Sequence, residues 1–221
     1  MGLDYRPFPL VLAAPSGTGK TTLAHRLVEG SESFCFGVSA TTREPRAGEV
    51  DGRDYHFVDR ERFQAMVNTG DLAEWAEVHG QWYGTPRAEL EGAAEQGRHV
   101  VLDIDVQGAR QIRASVPEAL LVFILPPSVE GLLARLTGRG TEAVADVARR
   151  LRTALVELQA VADFDHVVVN ADLDGCLKEI RGIVRAETRR TVRARALEKN
   201  VDEMRSRIAR ILENEYANVT G

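Results

Sequence analysis

Phe8 to Thr22 reads FPLVLAAPSGTGKTT, and this stretch decides the fold. Leu10, Val11, Leu12, Ala13 and Ala14 form a short uncharged run, which fits a strand covered on both faces of a parallel sheet. Pro15, Ser16, Gly17, Thr18 and Gly19 follow, small residues that let successive backbone N–H groups turn inward. Lys20, Thr21 and Thr22 then lead into a helical period marked by Leu23, Leu27 and Val28. Strand, glycine-rich turn, Lys-Thr and helix in this order make a phosphate-binding loop in its structural setting. The turn amides form an anion nest, and the helix N-terminus adds partial positive charge. Positions 14 to 22 are therefore candidates for holding a nucleoside triphosphate. Lys20 would bring a full charge to the β- and γ-phosphates, and the Thr21 hydroxyl would sit on Mg²⁺. The strict pattern opens with Gly, and this chain has Ala14 there; every other required position is filled.

Working outward, the 221 residues suffice for one large domain, and 44% hydrophobic content supports a sizeable core. A formal net charge of −5 argues against a surface devoted to nucleic acid, so no nucleic-acid partner is expected. Cys35 and Cys176 lie far apart and read as buried free thiols. The five histidines do not cluster. The N-terminal apolar run is too short for a signal peptide, and no segment has transmembrane length, so the expected setting is the reducing cytoplasm without a membrane partner.

After the first helix, residues 34–38 read as a strand and 39–54 as a polar loop with Pro45, Gly48 and Gly52. Residues 55–58 read as a strand. Asp59 can cap a helix that buries Phe63, Met66 and Val67 and ends at Gly70. Residues 72–78 and 81–83 read as a hairpin turning near His79 and Gly80, so residues 39–85 form a small mixed insertion. Pro86 suits the first turn of a helix closed by Gly97. Strands at 100–104, 120–125 and 166–170 alternate with helices at 107–114, after Ser128, from about 142 to 161, and from Asp172 or Asp174. That alternation predicts an α/β fold, a mostly parallel sheet with helices on both faces. In the tail, Ala194, Leu197, Val201, Met204, Ile208 and Ile211 recur at 3 and 4, the seam of a helix packed either on its own core or on a second copy. Arg181, Arg185 and Arg189 stack at i,i+4 as a solvated face.

Three features narrow the use of the loop. Arg43 and Arg46, with Tyr55 at the head of a strand, suit a second phosphate group, because guanidinium matches phosphate oxygens at two points. Asp103 and Asp105 end the strand LDID, where ligands of such sheets sit. Arg135, Arg139, Arg149 and Arg150 surround the glycine break TGRGT and suggest a lid that closes on a transferring phosphate.

These motifs, APSGTGKTT, SATTREPRAGEVDGRDYHFV, EWAEVHGQWYGTP, LDIDVQGAR and GRGTE, resemble those of guanylate kinases over about residues 8–190. The resemblance implies a phosphate-loop NTPase core at 8–38 and 86–190, a GMP-binding insertion at 39–85, a lid at about 137–150, and a helical extension at 191–221 outside the usual family length. It implies that Ser39, Arg43, Arg46, Tyr55 and Tyr83 hold the GMP phosphate. Glu74 and Thr85 read the guanine, Thr85 from the far edge, with Asp103 and Asp105 nearby. Arg135 and Asn170 lie on the ATP side, Asn170 near the adenine. The implied reaction is phosphoryl transfer from ATP, with Mg²⁺, to GMP or dGMP. Lys20, Arg46, Arg139 and Arg150 would be the catalytic charges, and catalysis would rest on positioning and charge neutralisation. A non-catalytic binding module of the same fold is the alternative; such modules have typically lost the loop lysine or lid arginines, which this chain retains. The seam in the tail leaves a homo-oligomer open.

Overall fold

The computed structural model describes residues 4–78, 80–137 and 144–216. They form two compact units: Pro7–Val184, and the described residues before Pro7 together with those after Val184. In chain order the strands are β1 (Leu10–Ala13), β2 (Phe34–Phe36), β3 (Ala40–Thr41), β4 (His56–Phe57), β5 (Leu72–Val78), β6 (Gln81–Pro86), β7 (His99–Asp103), β8 (Leu120–Leu125) and β9 (His166–Val169). The helices are α1 (Lys20–Val28), α2 (Arg60–Thr69), α3 (Arg87–Glu95), α4 (Val106–Ser115), α5 (Val129–Thr137), α6 (Val144–Gln159), α7 (Leu173–Thr188) and α8 (Leu197–Glu215).

Alternation along β1 explains the main sheet. Leu10 and Leu12 face a layer with Leu23 and Leu27 of α1 and Leu177 and Ile180 of α7. Val11 faces the opposite layer, with Ala93 of α3 and Ala109 and Ile112 of α4. The strand is buried on both faces, which is why its sequence carries no charge. The sheet order is β2-β7-β1-β8-β9, with every pairing parallel. Burying each of these aliphatic side chains contributes about 1.5–3 kcal/mol, so this double layer dominates the unit's stability. β7 and β8 flank β1, and their carboxyl ends open on the same edge as the phosphate loop, where such sheets bind ligands.

A second, mixed sheet runs β4-β3-β6-β5, with β3 and β4 parallel and the other pairs antiparallel. It packs Ala40 and Leu72 against Phe63 of α2. Asp59 caps α2, accepting from the Arg62 N–H at 2.7 Å, and Gly70 closes it at φ 75°. At Gly84 a Cβ would lie 2.8 Å from the Glu74 carbonyl oxygen, so only glycine lets β5 and β6 approach this closely.

Several local expectations shift. Pro86 ends β6 and caps α3 from outside the first turn. The helix expected from 142 is described as α6 from Val144, and a 3-10 turn at Ala160–Asp163 follows it. Cys35 is half-buried, whereas Cys176 is buried as expected. The tail departs most. Within the extension expected to be helical from 191, Thr191–Arg193 form a 3-10 turn, in which Arg193 donates back to Glu187 at 2.7 Å. Ala194 bridges to Tyr5, and Ala196 sits at φ 51°, so α8 starts only at Leu197. Within a single chain α8 has no buried residue, and Met204 and Ile208 are each 51% exposed.

Candidate active site

The phosphate loop leaves β1 through Ala14, which joins the core with 4% exposure in the place the strict pattern gives to Gly. Gly17 and Gly19 take φ 88° and 90°, a region that side chains disfavour. Between them, the carbonyl of buried Thr18 accepts from Arg135 Nη1 at 2.9 Å and Asn170 Nδ2 at 2.7 Å. Lys20 opens α1, and its ammonium pairs with Asp103 Oδ1 at 2.8 Å and donates to the Ile104 carbonyl. Thr21 and Thr22 are exposed on the first turn. Pro15 is buried, and its carbonyl accepts from the Thr18 N–H at 3.1 Å.

Ser39, Tyr55, Glu74, Tyr83, Asp103 and Asp105 line one cavity of about 340 Å³. Glu74, Ala76 and Val78 enter it from one face of β5, as a period of two requires. Asp105 caps α4, its Oδ1 accepting from the Gly108 N–H at 2.7 Å. Glu74 is only 6% exposed, and it accepts from the Thr85 hydroxyl at 2.7 Å. The two stand opposite each other in the β5–β6 register. Burial pushes the Glu74 carboxyl up to about 7; the Thr85 hydrogen bond opposes that shift, and the charge of Asp105 adds to it.

The remaining expected residues divide. Arg43 is held by Glu49 through two bonds of 2.9 Å and lies over the Tyr55 ring at 5.2 Å, so its neighbour Tyr55 lines the cavity while its guanidinium faces Glu49. Arg46 is exposed, and its backbone N–H donates to the same Glu49 at 2.7 Å. Arg150 Nε donates to Ser16 Oγ at 3.2 Å. Arg149 pairs with Asp146 within α6, away from the loop contacts. Arg139 lies outside the described residues, as does most of the TGRGT break.

The sequence reading missed Glu157. This half-buried carboxylate of α6 accepts from the Ser16 N–H at 3.3 Å and lines the cavity together with Thr153. Burial pushes its carboxyl up, against the pull of the Ser16 hydrogen bond. Arg150, Thr153 and Glu157 are spaced 3 and 4, so one helical face carries all three to the loop and cavity. That period was legible, but nothing in it says which side of the helix meets the cleft.

A sequence profile described as "Guanylate kinase" matches residues 6–187. The guanylate kinase of Rhodococcus jostii (strain RHA1) is 52% identical over 173 residues, 77% of this chain and 84% of that protein. The chain belongs to the guanylate kinase family. The guanylate kinase of Nitratidesulfovibrio vulgaris is 50% identical over 188 residues, covering 85% of this chain and 91% of that one. The crystal structure of guanylate kinase from Anaplasma phagocytophilum superposes with a TM-score of 0.73 at 34% identity, over 91% of this chain and 96% of that one. The guanylate kinase profile ends inside α7, so α8 lies beyond it.

The elevated carboxyl of Glu74 has a consequence for stability. Between its ordinary value of 4.5 and about 7, the folded chain keeps a proton on Glu74 that the unfolded chain releases. Stability should therefore fall as pH rises through that window, by about 3 kcal/mol in all. Urea unfolding at pH 5 and pH 8 checks this: the wild-type chain should show this loss, and Glu74→Gln should lack it.

Proposed function

We propose that the cavity is the GMP site and the phosphate loop the ATP site of one phosphotransfer centre. The activity is that of a guanylate kinase: ATP and GMP give ADP and GDP. One observation carries the assignment. Asp103 lines the acceptor cavity and also pairs with Lys20 of the donor loop at 2.8 Å, so the two halves meet at a single side chain.

Guanine supports the choice of acceptor. It offers donors at N1–H and the 2-amino group, whereas adenine has an unprotonated N1 and no 2-amino group. A buried carboxylate such as Glu74, fixed by Thr85, rewards the first and meets an acceptor in the second. In this reading the segment 39–85 carries the acceptor, and dGMP serves as GMP does. Ser39, Tyr55 and Tyr83 hold the acceptor phosphate, with Arg43 and Arg46 turning from Glu49 toward it. Lys20 and the loop amides hold the donor, while the segment 137–150 closes with Arg139 and Arg150 on the migrating phosphoryl group. Closure excludes water as a rival acceptor.

The described residues contain no cluster of three acidic, His or Cys groups that would cage a metal. The exposed Thr21 hydroxyl is a hard oxygen donor, which suits Mg²⁺ taking its other oxygens from phosphates and water. Bound there, Mg²⁺ would neutralise charge on the β- and γ-oxygens. No helix among the described residues is long and apolar enough to cross a membrane. A cytoplasmic setting and self-association through the exposed stripe of α8 complete the proposal.

Lys20→Met should fold normally yet lose a thousandfold or more in turnover, on the order of 4 kcal/mol of transition-state stabilisation. A coupled ADP-release assay checks it, and near-normal turnover would remove the phosphotransfer mechanism. In the same assay run over GMP, dGMP, AMP, CMP and UMP, GMP should be preferred to AMP by roughly four decades. Glu74→Gln should erode that preference without changing ATP affinity; full retention would mean that another group reads the base. A chain ending at Arg195 should sediment as a monomer with its activity kept, whereas the full chain sediments as an oligomer; the same number of copies in both would make α8 idle in association.

A further inference from the structure

We infer that Glu89, in the first turn of α3, is a positioning residue for the acceptor phosphate: it ties both ends of the segment carrying Ser39 and Tyr55 to a helix packed on the main sheet. The inference rests on reading those two residues as phosphate holders. Gly37 still bonds to the main sheet, its N–H donating to the Val101 carbonyl at 3.0 Å. It is packed tightly there, since a Cβ would lie 2.5 Å from Leu102 Cδ2 and 2.9 Å from Val100 Cγ2. The next N–H, that of Val38, donates to Glu89 Oε2 at 3.0 Å. The other carboxylate oxygen meets His56 Nε2 at 2.9 Å. An ionised carboxylate only accepts, so Nε2 carries the proton in this pair. Val38 precedes Ser39, and His56 follows Tyr55. One carboxylate thus grips the chain on either side of residues 39–55, from 51 and 33 positions away in sequence.

Strand pairing alone holds this segment weakly. β3 and β4 have two residues each, joined where the His56 N–H donates to the Ser39 carbonyl at 2.9 Å and the Val58 N–H to the Thr41 carbonyl at 3.0 Å. Pairings this short open readily. The helix is the fixed part: Ala93 of α3 is buried and Leu90 packs in the layer of Val11, Val100 and Ile112. Glu89 stands one residue before Leu90, so a rigid element carries the carboxylate, and its two oxygens go to the two chain ends. His56 closes the ring, giving its side chain to Glu89 and its N–H to Ser39. Neither Glu89 nor His56 is among the residues that line the cavity, so their effect on an acceptor passes through Ser39 and Tyr55.

Binding of GMP and of guanosine, which has the base but no phosphate, tests the role. Glu89→Ala should weaken GMP by about tenfold, the size of one or two lost hydrogen bonds, and leave guanosine at wild-type affinity. KM for GMP should rise by a similar factor while ATP affinity stays unchanged. Glu89→Gln keeps an oxygen for the Val38 N–H and can donate to the other His56 tautomer, so it should recover most of the loss. His56→Ala should cost less than Glu89→Ala, and the double variant no more than Glu89→Ala alone, because both act through one pair. Equal weakening of GMP and guanosine would make Glu89 a general support of the fold and overturn the inference, as would unchanged GMP affinity. Should Glu89→Ala lose ATP binding and so fail to fold, His56→Ala carries the same comparison. A wild-type chain that binds guanosine as tightly as GMP would instead remove the acceptor-phosphate reading, and the inference with it.

Discussion

Strand β1 is hydrogen-bonded to a neighbour on each edge and packed against a helical layer on each face, so its four residues have no route to water. The chain leaves it through buried Ala14 and Pro15 and then turns, the Thr18 N–H donating to the Pro15 carbonyl. The turn uses Gly17 and Gly19 in left-handed conformation and starts α1 at Lys20. This brings N–H groups and a helix N-terminus to the carboxyl edge of the sheet, the one place where the backbone itself can meet an anion. The ends of β7, β8 and β9 reach the same edge, which is why Asp103, α5 and Asn170 all find the loop.

Negative charge gathered in the cleft is the second constraint. Glu74, Asp103, Asp105 and Glu157 all line one cavity, and each would be costly to hold there alone. Three have direct partners for the charged form: Lys20 for Asp103, the α4 N-terminus for Asp105, and the Ser16 N–H for Glu157. Glu74 takes its hydrogen bonds from Thr85, the hydroxyl and the backbone, and lies close to α4, where a Cβ on Gly108 would come within 2.8 Å of its Oε2. Burial raises its carboxyl to about 7.

The mixed sheet is held at both faces by different means. One face of β5 lines the cavity, and on the other Trp75 packs with Phe63 and Trp82 at ring distances of 6.4 and 6.0 Å. Glu49 ties the loop at its rim by gripping the Arg43 guanidinium and the Arg46 N–H together. One carboxylate thus holds the Arg43 guanidinium and the Arg46 backbone together.

By itself the sequence determined the double-faced β1, the phosphate loop with its Ala14 and the Asp59 cap. These follow from local period and turn chemistry, which a chain carries wherever it is placed. Of the nine acceptor-side residues that the resemblance to guanylate kinases implied, Ser39, Tyr55, Glu74, Tyr83, Asp103 and Asp105 line one cavity, whereas Arg43, Arg46 and Thr85 do not line it. Only the tertiary structure decided which side chains meet across elements. Thr85 met Glu74, because strand register sets who stands opposite. Arg135 and Asn170, 35 residues apart, met at one carbonyl through the sheet order. Glu157 entered the cleft from α6, which leaves the apolar Leu155 and Val156 exposed, so polarity did not mark its cleft-facing side. The tail seam was legible as a period, and within one chain α8 buries no residue, because a period describes a face and does not supply the surface that covers it.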